Sequence, residues 1–268
     1  MRCARLLATL GVLSLVPLLT GADEPAAKTP AAPSKNGAVN IPETSSKVTW
    51  ICPHIGNQKI QIDGKANEAA WKLAESLENF TVLKTLKAPA WPTTARIVHD
   101  DKNLYITFEC KADGIRTPSK KRDDHVFDGE VAEFFFCPRG ADAFYYEIDF
   151  SPKNVVYDCR LESWKYEPQS KFADTWAKEF NAAINSETMI LEDEKEQVTG
   201  WTLEAAIPFK DLDVAERRAP ADGEVWLFNV FRGAMQKDDK YELQHWGPVK
   251  PEFHRPHQFP RLKFVRKP

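Results

Sequence analysis

From about residue 47 onward, apolar and polar positions alternate in short runs that recur roughly every ten residues. The segment Lys59-Ile60-Gln61-Ile62 alternates, as does Ala95-Arg96-Ile97-Val98. Leu104, Ile106 and Phe108 share one face of a predicted strand whose other face carries Tyr105, Thr107 and Glu109. Further strand patterns cover 131–136, 144–150, 155–161, 201–207, 225–231, 241–246 and 262–265. Asp63-Gly64, Asp113-Gly114, Pro138-Arg139-Gly140 and Ala221-Asp222-Gly223 punctuate them as turns. Helical periodicity is confined to 67–75 and 209–214. Many short strands at this spacing predict an all-β fold, an antiparallel β-sandwich of jelly-roll-like character with one or two short helical turns.

The first 46 residues follow another pattern. Arg2 and Arg5 precede an apolar run, Leu6 to Leu19, and Thr20-Gly21-Ala22 supplies small residues for cleavage. This predicts a signal peptide over 1–22, and hence a periplasmic or extracellular protein. Residues 23–46, rich in Ala, Pro, Ser and Lys, read as a disordered linker. Residues 47–268 form the folded domain. No later apolar run reaches the length of a membrane span. Losing Arg2 and Arg5 takes the formal charge from −3 to −5, which removes any electrostatic basis for nucleic-acid binding. Cys52, Cys110, Cys137 and Cys159 then remain. They are even in number but lack a C-x-x-C pair, so two disulfides and free buried thiols stay open as readings while a zinc site loses support.

No phosphate-binding glycine loop and no G-x-S-x-G nucleophile elbow is present. Six segments occur in the order of one known family. They are Ile62-Asp63-Gly64 through Glu68 to Trp71; Ala95 to Ile106 with Asn103-Leu104-Tyr105; Asp128 to Phe135; Tyr146 to Asp158; Gly200-Trp201 to Pro208-Phe209; and His245-Trp246-Gly247-Pro248 with Phe253-His254 and Phe259 to Leu262. Together they resemble family 9 carbohydrate-binding modules over about 58–265. The resemblance implies a β-sandwich that binds sugars without cleaving them, often beside enzymes of carbohydrate catabolism, and that commonly carries structural calcium.

Sugar recognition needs flat apolar faces against the pyranose C–H groups and a few placed polar partners for its hydroxyls. The resemblance puts the two sandwiching aromatics at Phe127 and Phe253, where the family has Trp, and the acidic residue at Glu133. Its basic residue and amide fall on Glu147 and Asp149, a reversal of charge that would favour a cation, calcium or an amine-bearing ligand. Arg232 is a candidate bidentate donor to hydroxyls and Trp91 a candidate extension of the binding face. Asp123, Asp124, Asp128 and Glu130 form an acidic loop, a candidate calcium site. Two alternatives stand beside the binding module. One is a structural or envelope interaction sandwich that has lost sugar binding. The other is a glycoside hydrolase using Glu133 with Glu147 or Asp149 as its carboxylate pair.

Overall fold

The computed structural model describes residues 48–141, 143–161, 177–212, 218–235, 240–250 and 252–266. The predicted signal peptide and linker lie outside the described residues. Thirteen strands run β1 Thr49–Pro53, β2 Thr81–Val82, β3 Thr93–His99, β4 Asn103–Lys111, β5 Val131–Cys137, β6 Tyr145–Phe150, β7 Val156–Leu161, β8 Ala177–Glu179, β9 Asn185–Glu192, β10 Val198–Pro208, β11 Val225–Met235, β12 Tyr241–His245 and β13 Arg261–Val265. The larger sheet has the order β1-β13-β11-β5-β6-β7-β8, with β12 on β11 and β2 on β12; the smaller is β3-β4-β10-β9. All pairings are antiparallel except β1 with β13. The all-β sandwich expected from the alternation is the observed fold.

The core lies between the two sheets. Phe134, Phe136, Tyr146, Ile148, Phe150, Trp226, Phe228 and Val230 of the larger sheet meet Ile97, Ile106, Phe108, Trp201, Leu203 and Ala205 of the smaller. These are the alternate residues that period-2 patterning sends to one face. Arg232 belongs to the same inward set. Its guanidinium donates to Glu130 Oε1 (Nε 2.9 Å, Nη2 2.7 Å) and to the carbonyls of Trp91 (3.1 Å) and Lys111 (2.7 Å). Glu130 also accepts from Trp201 Nε1 (2.8 Å) and from the Met235 N–H (2.7 Å). Neither side chain of this pair is exposed, and the pair ties the sheets together.

The larger sheet buries its outer face as well. Phe135, Cys137, Tyr145, Cys159, Leu161, Leu227 and Phe231 form a second apolar cluster with Val249, Phe253 and Phe259, which come from the segment between β12 and β13. Every residue of β5 and of β6 is therefore buried. That is why 131–137 reads as a nearly unbroken apolar run rather than an alternating one.

Two sequence expectations need correction. The 59–62 segment alternates but is not a strand. Side chains take the backbone donors here and just beyond: Gln61 N–H goes to Glu68 Oε1, and the following Asp63 and Gly64 N–H groups to Glu204 Oε2. Ile60 and Ile62 still pack on Trp71, Val98 and Tyr105. Conversely β9, largely exposed at the edge of the smaller sheet, has too few buried apolar positions to show a pattern. The short helical turns fall at Ala69–Leu73 and Phe209–Asp211, with others at Val126–Asp128 and Pro256–Gln258.

Candidate functional site

Strand register brings three carboxyl groups together on the outer face of the larger sheet. Glu133 on β5 is directly opposite Asp149 on β6, and Glu147 lies opposite Phe135, two pairs further along and so on the same face. On β7, Tyr157 is opposite Asp149 and Cys159 opposite Glu147. Glu133 and Glu147 are each 4% exposed and Asp149 is 0% exposed.

The surroundings are aromatic. Phe127 stands edge-on to Tyr157 (5.6 Å between ring centroids) and stacks on His125 (4.9 Å). Phe253 stacks on Phe231 at 4.1 Å and is only 8% exposed. His254 lies over Phe135 (5.3 Å), its Nδ1 2.8 Å from the Tyr145 hydroxyl. Tyr241 reaches from β12 across Gly233, and its hydroxyl donates to the Phe127 carbonyl (3.3 Å). It has this path only because residue 233 has no side chain: a Cβ there would run into the Tyr241 hydroxyl.

The electrostatics of the cluster are unusual. Neither carboxyl oxygen of Asp149 has a hydrogen-bond donor. Its polar neighbour is the Glu147 carboxyl, which can bond to it only by sharing a proton. The Cys159 thiol donates a long bond (3.7 Å) to Glu147 Oε2. Among the ion pairs of the described residues, the cluster's one basic contact is His254 Nδ1, 4.0 Å from Glu147 Oε2. Burial, and then the charge on Arg255, push His254 down to about 3, so it is neutral near pH 7 and cannot balance a carboxylate. Burial raises all three carboxyls, Glu147 to about 7. The Glu147 charge pushes Glu133 and Asp149 up further.

Beyond Tyr241 the surface opens into a groove of about 530 Å³ lined by Val82, Leu83, Lys84, Ala90, Trp91, Lys240, Tyr241, Glu242 and Leu243. Tyr241 thus borders both the groove and the carboxyl cluster: burial first, and then the charges of Glu133 and Asp149, hold its hydroxyl protonated.

The fold brings Phe127, Glu133, Glu147, Asp149 and Phe253 to one face and leaves Trp91 on the adjoining groove. Arg232 is elsewhere, committed to Glu130 on the inner face and out of reach of any ligand outside. Tyr157, Tyr241 and His254 are neighbours of the carboxyls that sequence reasoning missed. Tyr241 was legible in one respect, since it alternates in phase with Leu243 and His245.

The proposed calcium ligands do not gather. Glu130 is spent on Arg232, Asp124 accepts the N–H groups of Lys120 and Lys121, and Asp123 and Asp128 are exposed. Among the described residues, the only His, Cys or carboxylate set whose ligand atoms lie within 4.8 Å of one another is Asp63, Glu68 and Glu204. Its oxygens accept from Trp71 Nε1 (2.8 Å from Glu204), from the Asp63, Gly64 and Lys65 N–H groups and from Lys65 Nζ. So many N–H groups aimed at one cluster do the work that a cation would do there. Those N–H groups take up part of the lone-pair capacity that a cation would use.

Comparison with known proteins agrees with this architecture. Residues 62–263 match the family model "Carbohydrate family 9 binding domain-like". The chain belongs to that family. Among solved structures it is similar to a Bacteroides uniformis protein assigned provisionally to carbohydrate binding, with TM-score 0.62 and 14% identity over 81% of this chain and 99% of that one. It is also similar to a family 9 carbohydrate-binding module from Caldicellulosiruptor kristjanssonii solved with cellotriose, with TM-score 0.57 and 12% identity over 82% and 95%. The same module with glucose gives TM-score 0.57 over 82% and 97%. No curated protein matches.

Proposed function

We propose that this protein is an exported, non-catalytic carbohydrate-binding domain whose ligand meets the outer face of the larger sheet. The observation that carries the reading is the meeting of Phe127, Tyr157 and Tyr241 with Glu133, Glu147 and Asp149 on one face of a family 9 fold. Aromatic faces take the C–H side of a pyranose, and carboxyl oxygens accept from its hydroxyls. Trp91 and Tyr241 line the open groove alongside, where a longer poly- or oligosaccharide would continue. The signal-peptide pattern over 1–22, with its apolar run from Leu6 to Leu19, supports export to the periplasm or beyond.

The burial of Phe253 against Phe231 favours a second reading, a structural sandwich that no longer binds sugar, because a stacked ring offers no free face. Affinity electrophoresis through gels containing soluble polysaccharides separates the two. The binding reading predicts retardation that is lost in Phe127→Ala and reduced in Trp91→Ala, persists in EDTA, and releases no reducing ends. A structural protein migrates unretarded in every gel. Release of reducing ends abolished by Glu133→Gln would instead establish the hydrolase.

A further inference from the structure

The cluster's chemistry narrows the class of sugar, and this inference rests on the binding reading above. Three carboxyls share one buried face, and Asp149 has no donor on either oxygen. A buried polar group without a partner is costly, and a buried carboxylate without a counter-charge more so. Among the described residues, the groups facing the cluster are Tyr157, Asp158 and Cys159 from β7, Tyr241 from β12, and His254 with Tyr145 beside it. None of them is a cation near neutral pH.

A metal ion does not meet the need. The three carboxyls, even with His254 or Cys159, are not among the sets whose ligand atoms gather within 4.8 Å, whereas a hard cation draws six to eight oxygens about one point. Neutral hydroxyls could donate to the oxygens while the cluster keeps its protons, but would leave each carboxylate that ionises without a counter-charge. An ammonium group both donates and balances charge, and the aromatic rim is favourable to a cation as well as to C–H groups.

We infer that the site takes an amino sugar in its free ammonium form, with the ammonium directed at Glu133, Glu147 and Asp149 and the ring against Phe127, Tyr157 and Tyr241. In the ligand-free protein the cluster is held by protons. An arriving ammonium replaces at least one of them, so binding releases a proton from the protein to buffer. Affinity therefore rises with pH through the range in which Glu147 ionises, about 7, and falls again only where the amine itself loses its proton.

Calorimetric titration of the purified protein tests this. The probes are β-1,4-linked glucosamine oligomers, their N-acetylated counterparts, cello-oligosaccharides and calcium chloride. Titrations are run at about pH 5.5 and pH 7, in buffers of different ionisation enthalpy. The free amine is expected to bind about tenfold or more tighter than the N-acetyl form at pH 7, the order of one charge-assisted hydrogen bond. That preference shrinks at pH 5.5, and the heat depends on the buffer. Asp149→Asn, near-isosteric and checked for an intact thermal transition, should lose most of the preference while keeping the fold; Glu133→Gln provides a second such variant. Equal affinity for the amine, N-acetyl and neutral oligomers overturns the inference and leaves carbohydrate binding standing. Binding of calcium but not of the amine also overturns it. No binding of any oligomer, by a folded protein, overturns both.

Discussion

The decisive residues are charged side chains in two opposite situations. Arg232 and Glu130 are buried and matched, each with further hydrogen bonds. Removing one partner of such a pair leaves an uncompensated charge, so Arg232→Ala should destabilise the fold by about 3–5 kcal/mol in chemical denaturation. A loss below about 1 kcal/mol would show that the pair does not join the sheets. Sequence reasoning misplaced Arg232 because β11 is apolar on both faces; Phe228 and Phe231 disguise the parity that puts residue 232 inside. Glu147 is buried and unmatched. Its folded value, about 7, lies above the ordinary 4.5 of the unfolded chain. The folded state therefore holds a proton the unfolded state has lost, and this contribution to stability is lost as pH rises from about 4.5 through about 7. His254 and His99, depressed to about 3 and about 4, act with the opposite sign below about pH 6.5. A comparison with Glu147→Gln cancels them. The variant should match wild type near pH 4.5 and exceed it above pH 7 by a few kcal/mol. A pH-independent difference would mean that Glu147 ionises normally.

At the scale of elements, the site depends on how β5, β6, β11 and β12 lie side by side. Gly233 is the gap through which Tyr241 reaches the cluster, and a Cβ there would also approach Val131 Cγ1 at 2.9 Å. Gly233→Ala should push Tyr241 aside. It is expected to weaken sugar retention as much as Tyr241→Ala does, at a cost of about 1–3 kcal/mol from overpacking. Full retention in the alanine variant would remove Tyr241 from the binding face. The strands themselves were largely legible, because each core strand carries its own alternation or apolar run. What could not be read was satisfaction by long-range partners. The 59–62 segment looks like a strand until Glu68 is seen to take the Gln61 N–H and Glu204 those of Asp63 and Gly64 just after it. The roof over the outer face was equally hidden, since Phe253 and Phe259 come from a loop whose apolar residues follow no period.

For the molecule as a whole, the fold was legible from the alternation and the family from the order of six weak segments. The assembly of the acidic cluster was legible in part: Glu133, Glu147 and Asp149 were visible as a group, but their burial and their lack of counter-charge were not. Among the described residues no helix is long and apolar enough to cross a membrane. Cys52, Cys110, Cys137 and Cys159 are free and buried. Burial raises the thiols, Cys110 to about 12, which suppresses the reactive thiolate. Ellman's reagent should thus find no reactive thiol among these four in the folded protein. After denaturation it should find four if the chain has been cleaved after residue 22, and five if Cys3 is retained. A lower count would reveal a disulfide among them.

The central claim is that sugar meets the outer face of the larger sheet, and nuclear magnetic resonance on the labelled protein tests it most directly. Titration with the oligosaccharide retained most strongly should shift the side-chain signals of Phe127, Tyr157, Tyr241 and the Trp91 indole together, leaving the exposed strand β9 unmoved. Shifts confined to the smaller sheet, or no shift at a saturating concentration of every oligosaccharide tried, would contradict the account.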